Sequence, residues 1–196
     1  PRGYRMLRGP IWFAAGFAVM LSAGWLVFPR ALYQKSSQPI QFSHRTHAEK
    51  AGMKCEDCHS LRADGAFTGI PQVDKCAGCH AAPVGSTADE KLLVDRYVTP
   101  NREIPWKVYA RQPDNAWFPH AYHVKLAKLA CEQCHGGHGK TDSLRAYESN
   151  RVSGYSRDFW GASLQPATAR TGLKMSQCEH CHDEKGVVTG CIDCHK

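Results

Sequence analysis

The chain opens on one long apolar block and afterwards shows no sustained alternation of apolar and polar positions. Ile11 to Phe28 reads IWFAAGFAVMLSAGWLVF, eighteen residues without a charge. A helix of that length spans about 27 Å, close to the ~30 Å hydrocarbon thickness of a bilayer. Trp12 and Trp25 lie near its two ends, and Arg2, Arg5 and Arg8 precede it. Interfacial tryptophans and the positive-inside rule place the N-terminus in the cytoplasm and everything after Phe28 on the outer face. A cleaved secretory signal has the same charge and apolar stretch. No clear small-x-small cleavage site follows, so the block is read as a retained single-pass anchor. Ala14, Ala18 and Ser22 recur every four residues, a stripe that would admit a neighbouring helix or simply reflects how common small residues are in membrane helices.

Beyond the anchor the pattern predicts short helices and loops. Gln34 to Gln38 reads as a polar linker, and Ala48–Lys54 and Val124–Ala130 as helices running into cysteine clusters. Residues 83–117 carry Pro83, Pro100, Pro105 and Pro113 among Trp106, Tyr109 and Trp117. Residues 141–177 carry Arg145, Arg151, Arg157 and Arg170 with Tyr147, Tyr155, Phe159 and Trp160. Both stretches are too aromatic for free linkers and too irregular for long helices, and are expected to wrap a cofactor, dock on other subunits, or both.

A repeat organises the remainder. Phe42-Ser43-His44-Arg45-Thr46-His47 leads to Cys55, and Phe118-Pro119-His120-Ala121-Tyr122-His123 leads to Cys131, with one offset of 76 residues from phenylalanine to the last histidine of the cysteine motif. Such an offset marks an internal duplication. Ser43 suits the cap of one histidine-bearing helix and Pro119 the first turn of the other. The chain therefore divides into residues 1–30 (tip and anchor), 31–117 (first unit) and 118–196 (second unit).

The chemistry lies in the cysteines. All ten fall into five Cys-x-x-Cys-His motifs: Cys55/Cys58/His59, Cys76/Cys79/His80, Cys131/Cys134/His135, Cys178/Cys181/His182 and Cys191/Cys194/His195. With 11 histidines in 196 residues, a histidine after every pair has chance odds of roughly 10⁻⁶. Two thiols three residues apart can form thioethers to the vinyl groups of one haem, and the histidine beside them then reaches the iron. Structural zinc and redox dithiols are the competing readings, and neither explains the histidines. Five covalently bound haems c are expected. Residues 29–196 then give each haem about 34 residues, so the macrocycles form the core and the protein their wrapping. The predicted fold is a multihaem cytochrome c, mainly short helices and loops around five haems, with one transmembrane helix.

Charge follows from the same reading. The formal net charge of +7 is balanced by up to ten haem propionates, which removes the case for nucleic-acid binding. Six histidines remain after the proximal five: His44, His47, His120, His123, His138 and His180. The repeated pairs are the strong sixth-ligand candidates. His180 lies between the cysteines of its own motif and is poorly placed. The fifth sixth ligand is His138, with Met175 and Met53 as alternatives. Full coordination favours electron transfer over catalysis, since haem enzymes need an open position.

The Phe-x-His-x-x-His repeat entering Cys-x-x-Cys-His resembles the cytochrome c3/c7 class. That resemblance implies that His44 serves the Cys55 haem and His120 the Cys131 haem, leaving His47 and His123 for others. The anchor, five motifs and the closing pair CEHCHDEKGVVTGCIDCHK are similar to the pentahaem subunit of bacterial alternative complex III. This implies a menaquinol-oxidising membrane complex with an iron–sulfur subunit, integral membrane quinol-binding subunits and a monohaem cytochrome, feeding a soluble cytochrome or copper protein. The alternative is a stand-alone membrane-anchored quinol dehydrogenase supplying a periplasmic reductase.

Overall fold

A computed structural model describes residues 8–109, 115–154 and 174–195. Arg2, Arg5, Pro113, Tyr155, Arg157, Phe159, Trp160 and Arg170 lie outside the described residues. The apolar block forms a helix, Arg8–Ser22, continued by a wider π-type turn, Ala23–Val27, and a last turn, Phe28–Ala31. Gly9–Val27 is long and apolar enough to cross a membrane, by length and composition. Its large side chains, among them Trp12, Phe13, Met20 and Trp25, are exposed.

The Gln34–Gln38 segment is not a free linker. Tyr33–Ser36 forms strand β1, paired antiparallel with β2, Tyr147–Asn150, in the register Tyr33 to Asn150 and Ser36 to Tyr147. Lys35 Nζ sits 3.2 Å from Glu148 Oε1 across the ladder. Gln38 is buried and clamps Lys107 twice: its Nε2 donates to the Lys107 carbonyl at 2.9 Å, and the Lys107 N–H donates to its Oε1 at 3.0 Å. A buried amide is tolerated because both its ends are satisfied.

Residues 83–117 are more regular than their prolines imply. Thr87 accepts a hydrogen bond from Glu90 N and caps Ala88–Leu93, which runs on through Val94–Val98. This helix supplies Tyr97 to a small core with Ile40, Val73 and Ile104, flanked by Leu92, Leu93, Val98 and Trp106. No described side chain is fully sealed from solvent. So thin a core is what short helices without a large apolar partner can build.

The duplication extends to the backbone. Helix His44–Glu49 starts at Ser43, whose Oγ accepts from Thr46 N at 3.0 Å, while the π-type turn Ala121–Leu126 follows Pro119. Both end sooner than the sequence implies, because Met53 N folds back to the His47 carbonyl (3.1 Å) and Leu129 N to the His123 carbonyl (3.0 Å). The return needs a left-handed residue. Gly52 supplies it at φ 67°, and Lys128, at the equivalent place, adopts φ 55°. A side chain there costs about 1–2 kcal/mol. Gly52→Ala is therefore expected to destabilise the fold by about that amount, and Lys128→Gly to be neutral or mildly stabilising, as thermal melts of the two variants will show.

Candidate haem-binding sites

Three motifs open a short helix, Cys55–Cys58, Cys131–His135 and Cys191–Cys194, whereas Cys76 lies near the end of Val73–Ala77 with Cys79 just beyond it, and Cys178 and Cys181 lie within Met175–Glu184. None of the ten cysteines is joined in a disulfide. Burial pushes the Cys58, Cys76, Cys131, Cys134 and Cys178 thiols up from their ordinary value. Among the described residues no three histidine, cysteine or acidic side chains converge to hold a bare metal ion.

The histidines are arranged in facing pairs. Ring centroids are 6.1 Å apart for His47 and His80, 6.4 Å for His120 and His135, and 6.1 Å for His123 and His182. Two imidazoles bound to opposite faces of one metal, each through a bond of about 2 Å, hold their centroids roughly 6 Å apart. His120 and His135 are nearly parallel, with 2° between their planes. Each pair joins one repeat histidine to one motif histidine. His120 faces the motif of its own unit entrance, whereas His47 and His123 reach across to the next motif along the chain.

The imidazole orientation is set locally. His47 Nδ1 lies 2.8 Å from the Ser43 carbonyl and His123 Nδ1 3.0 Å from the Pro119 carbonyl. A carbonyl only accepts, so both rings carry their proton on Nδ1 and leave Nε2 free as a ligand atom. Phe42 stacks on His47 at 4.3 Å and meets His44 edge-on at 4.8 Å. Phe118 repeats this with His123 at 4.4 Å and His120 at 4.9 Å. The phenylalanine of the repeat is thus a clamp that fixes both rings.

His44 and His138 lie together, with centroids 4.6 Å apart. Burial drives His44 down to about 4, helped by the charges of His138, His59 and His47. Burial also lowers His138, with His135, Arg145 and His59 adding to it. Nδ1 of His44 is buried without a hydrogen-bond partner among the described residues. Both rings are therefore neutral and lie near His59, the histidine of the Cys55 motif. His180 is exposed and rests 3.3 Å from Glu184. Met175 is exposed at the start of its helix, and His195 is exposed at the end of the last motif.

Proximal histidines differ in what their Nδ1 meets. His59 donates to the Gly69 carbonyl at 2.6 Å and His182 lies 3.4 Å from Thr189 Oγ1. His80 instead meets a carboxylate, Glu90 Oε1 at 3.0 Å, with both side chains largely shielded (20% and 12% exposed). The N–H groups of Val84 and Gly85 also donate to Glu90 and hold its carboxyl below the usual range. Sequence reasoning missed Glu90 and also Phe67, which stacks on His120 at 4.0 Å. Neither stands in a motif, and only folding brings them to the histidines.

These sites fit haem: paired imidazoles at the separation of one iron, one ring of each pair belonging to the histidine that follows a Cys-x-x-Cys pair. The family model of class III cytochromes c matches residues 27–103, which span the anchor's end and the first two motifs. The multihaem cytochrome c subunit of menaquinone reductase from Nitratidesulfovibrio vulgaris (strain Hildenborough) is 38% identical over 199 aligned positions, covering 94% of this chain and 89% of that protein. This chain belongs to the class III cytochrome c family. The second unit lies beyond the matched residues, and its 76-residue offset from the first carries the same motif onward. Membership makes covalently bound haem c the cofactor of this cytochrome.

Proposed function

We propose that this cytochrome binds five haems and carries electrons along them within a membrane complex that works on menaquinone. The observation that carries the reading is the set of facing histidine pairs, each including the histidine that ends a Cys-x-x-Cys-His motif. Bound at these sites, haem supplies reversible one-electron iron chemistry. The chain's own residues attach it, orient the axial imidazoles and exclude water.

The cysteines Cys55, Cys58, Cys76, Cys79, Cys131, Cys134, Cys178, Cys181, Cys191 and Cys194 would form the thioethers, with His59, His80, His135, His182 and His195 proximal. His47 would complete the Cys76 site, His120 the Cys131 site and His123 the Cys178 site. His44 and His138 lie against each other near His59, so between them they would supply the sixth ligand there. His44→Ala and His138→Ala should differ accordingly: one of them converts the Cys55 haem to high spin and the other does not. Equal spectra from both variants would refute a shared site.

The relative is named for the reduction of menaquinone, which favours electrons leaving this cytochrome into menaquinone. A quinol-oxidising direction, which the likeness to alternative complex III implies, uses the same chain in reverse. The anchor would hold the cytochrome at the membrane with its haem units on the outer face. Its partners would be an iron–sulfur subunit and integral membrane quinone-binding subunits. Fully matured protein should weigh the apo-chain plus five haems by denaturing mass spectrometry. Mild detergent should recover it with those partners, and menaquinone-dependent haem oxidation should need them. Turnover of menaquinone by the isolated chain at the rate of intact membranes would instead establish the stand-alone enzyme.

Glu90 gives a further expectation. An ionised carboxylate on Nδ1 makes the imidazole of His80 a stronger donor and favours ferric iron. Glu90→Gln should shift the potential of the Cys76 haem upward and leave the others in place, as a spectropotentiometric titration will show.

A further inference from the structure

We propose that the five motifs form one unbranched line in the order Cys76, Cys55, Cys131, Cys178, Cys191, with the Cys76 end beside the anchor and the Cys191 end facing outward. The spatial order thus differs from the chain order at its first step, where the second motif lies outside the first. The inference rests on the reading of all five motifs as haem sites and adds their neighbours to it.

Each link has its own contact. Cys76 joins Cys55 through His47, which sits eight residues before Cys55 yet faces His80 at 6.1 Å. Cys55 joins Cys131 through Phe67, stacked at 4.0 Å on His120 and 6.4 Å from His59, with 15° and 19° between planes. The same link is braced by Arg45, whose guanidinium donates to the Lys140 carbonyl and pairs with Asp142 at 3.1 Å. Cys131 joins Cys178 through His123, which faces His182 at 6.1 Å. Cys178 joins Cys191 through the short return in which His182 Nδ1 approaches Thr189 Oγ1 at 3.4 Å.

The ends are different in kind. Val73, on the helix that carries Cys76, is buried against Ile40, Tyr97 and Ile104. Ile40 lies thirteen residues beyond Val27, the last residue of the apolar helix, and β1 occupies part of that interval. The Cys76 helix therefore packs on the stretch of chain that follows the anchor and β1. At the other end Cys191, Cys194 and His195 are exposed, and Val188 and Ile192 beside them are 98% and 80% exposed. The Trp117 N–H donates to the Cys194 carbonyl at 2.7 Å, and Ala116 bridges His195, so this motif is fastened to the end of the first unit, just before the second begins. An electron exchanged with menaquinone would use the Cys76 end, and one exchanged with a soluble partner the Cys191 end.

Two-dimensional NMR of the fully reduced full-length protein in detergent, under carbon monoxide so that any haem with an open position is also diamagnetic, tests the order. Haem substituents assigned through their thioether cysteines should give interhaem Overhauser contacts for the pairs 76–55, 55–131, 131–178 and 178–191. A contact between the Cys76 haem and the Cys178 or Cys191 haem would overturn the line, as would missing 55–131 contacts. Denaturing mass spectrometry of the same sample separates the two claims. Fewer than five haem masses sinks the five-haem reading, whereas five haems with another neighbour set sinks only the order.

Discussion

Replacing His123 by alanine is expected to turn a single haem from low to high spin while all ten thioethers survive. His123 stands opposite His182 at 6.1 Å, and its Nδ1 is held at 3.0 Å by the Pro119 carbonyl. Removing it leaves the iron at Cys178 with one strong ligand, and a five-coordinate ferric haem is high-spin. Phe118 would lose its stacking partner at 4.4 Å, so local ordering should fall as well. The paired variant His47→Ala should do the same at Cys76 alone, since His47 faces His80. Electron paramagnetic resonance of the oxidised proteins should show a high-spin signal from about one haem in each variant, with an unchanged haem mass. If both variants kept every haem low-spin, the duplicated histidines would not be ligands.

That expectation could be framed from sequence because the repeat is written in residue types that leave few alternatives. Phenylalanine and two histidines at fixed distance from a cysteine motif, twice, at one offset, specify a local clamp. The structure returns it with matching ring contacts in both copies. The partner of each histidine was less legible. Nothing in the spacing says that His47 faces His80, or that His138 lies against His44. Such contacts depend on how the units fold onto each other, and short helices carry little periodicity to report it.

The errors have a common cause. Polar residues that satisfy one another look like linker in a sequence. Tyr33–Ser36 has no apolar alternation, yet it pairs with Tyr147–Asn150 and is bracketed by the Gln38–Lys107 clamp. A strand held by backbone hydrogen bonds and an ion pair has no hydrophobic signature to read. Helix ends failed for a related reason. The left-handed residue that stops the second histidine turn is Lys128, a residue type that gives no warning of it. The irregular 83–117 segment likewise concealed a capped helix, because its prolines flank Ala88–Leu93 rather than interrupt it.

Removing the middle haem should have the largest functional effect of any change. In Cys131→Ala/Cys134→Ala the site between Phe67 and His123 is lost, and with it the step from the Cys55 site to the Cys178 site. Electrons supplied at one end should then equilibrate with only two haems, and those supplied at the other end with only the remaining two. Stopped-flow absorbance on the complex should show a fast phase of about half its former amplitude, with menaquinone-linked turnover reduced by orders of magnitude. Cys191→Ala/Cys194→Ala is the informative control. It also removes one haem, but from an exposed end where little of the fold depends on it. That variant should lose exchange with the soluble partner while the other four haems still equilibrate with menaquinone. Equal damage from both variants would mean that lost folding, rather than a broken line, accounts for the result. Undiminished turnover in the Cys131 variant would mean that electrons bypass the centre of this cytochrome.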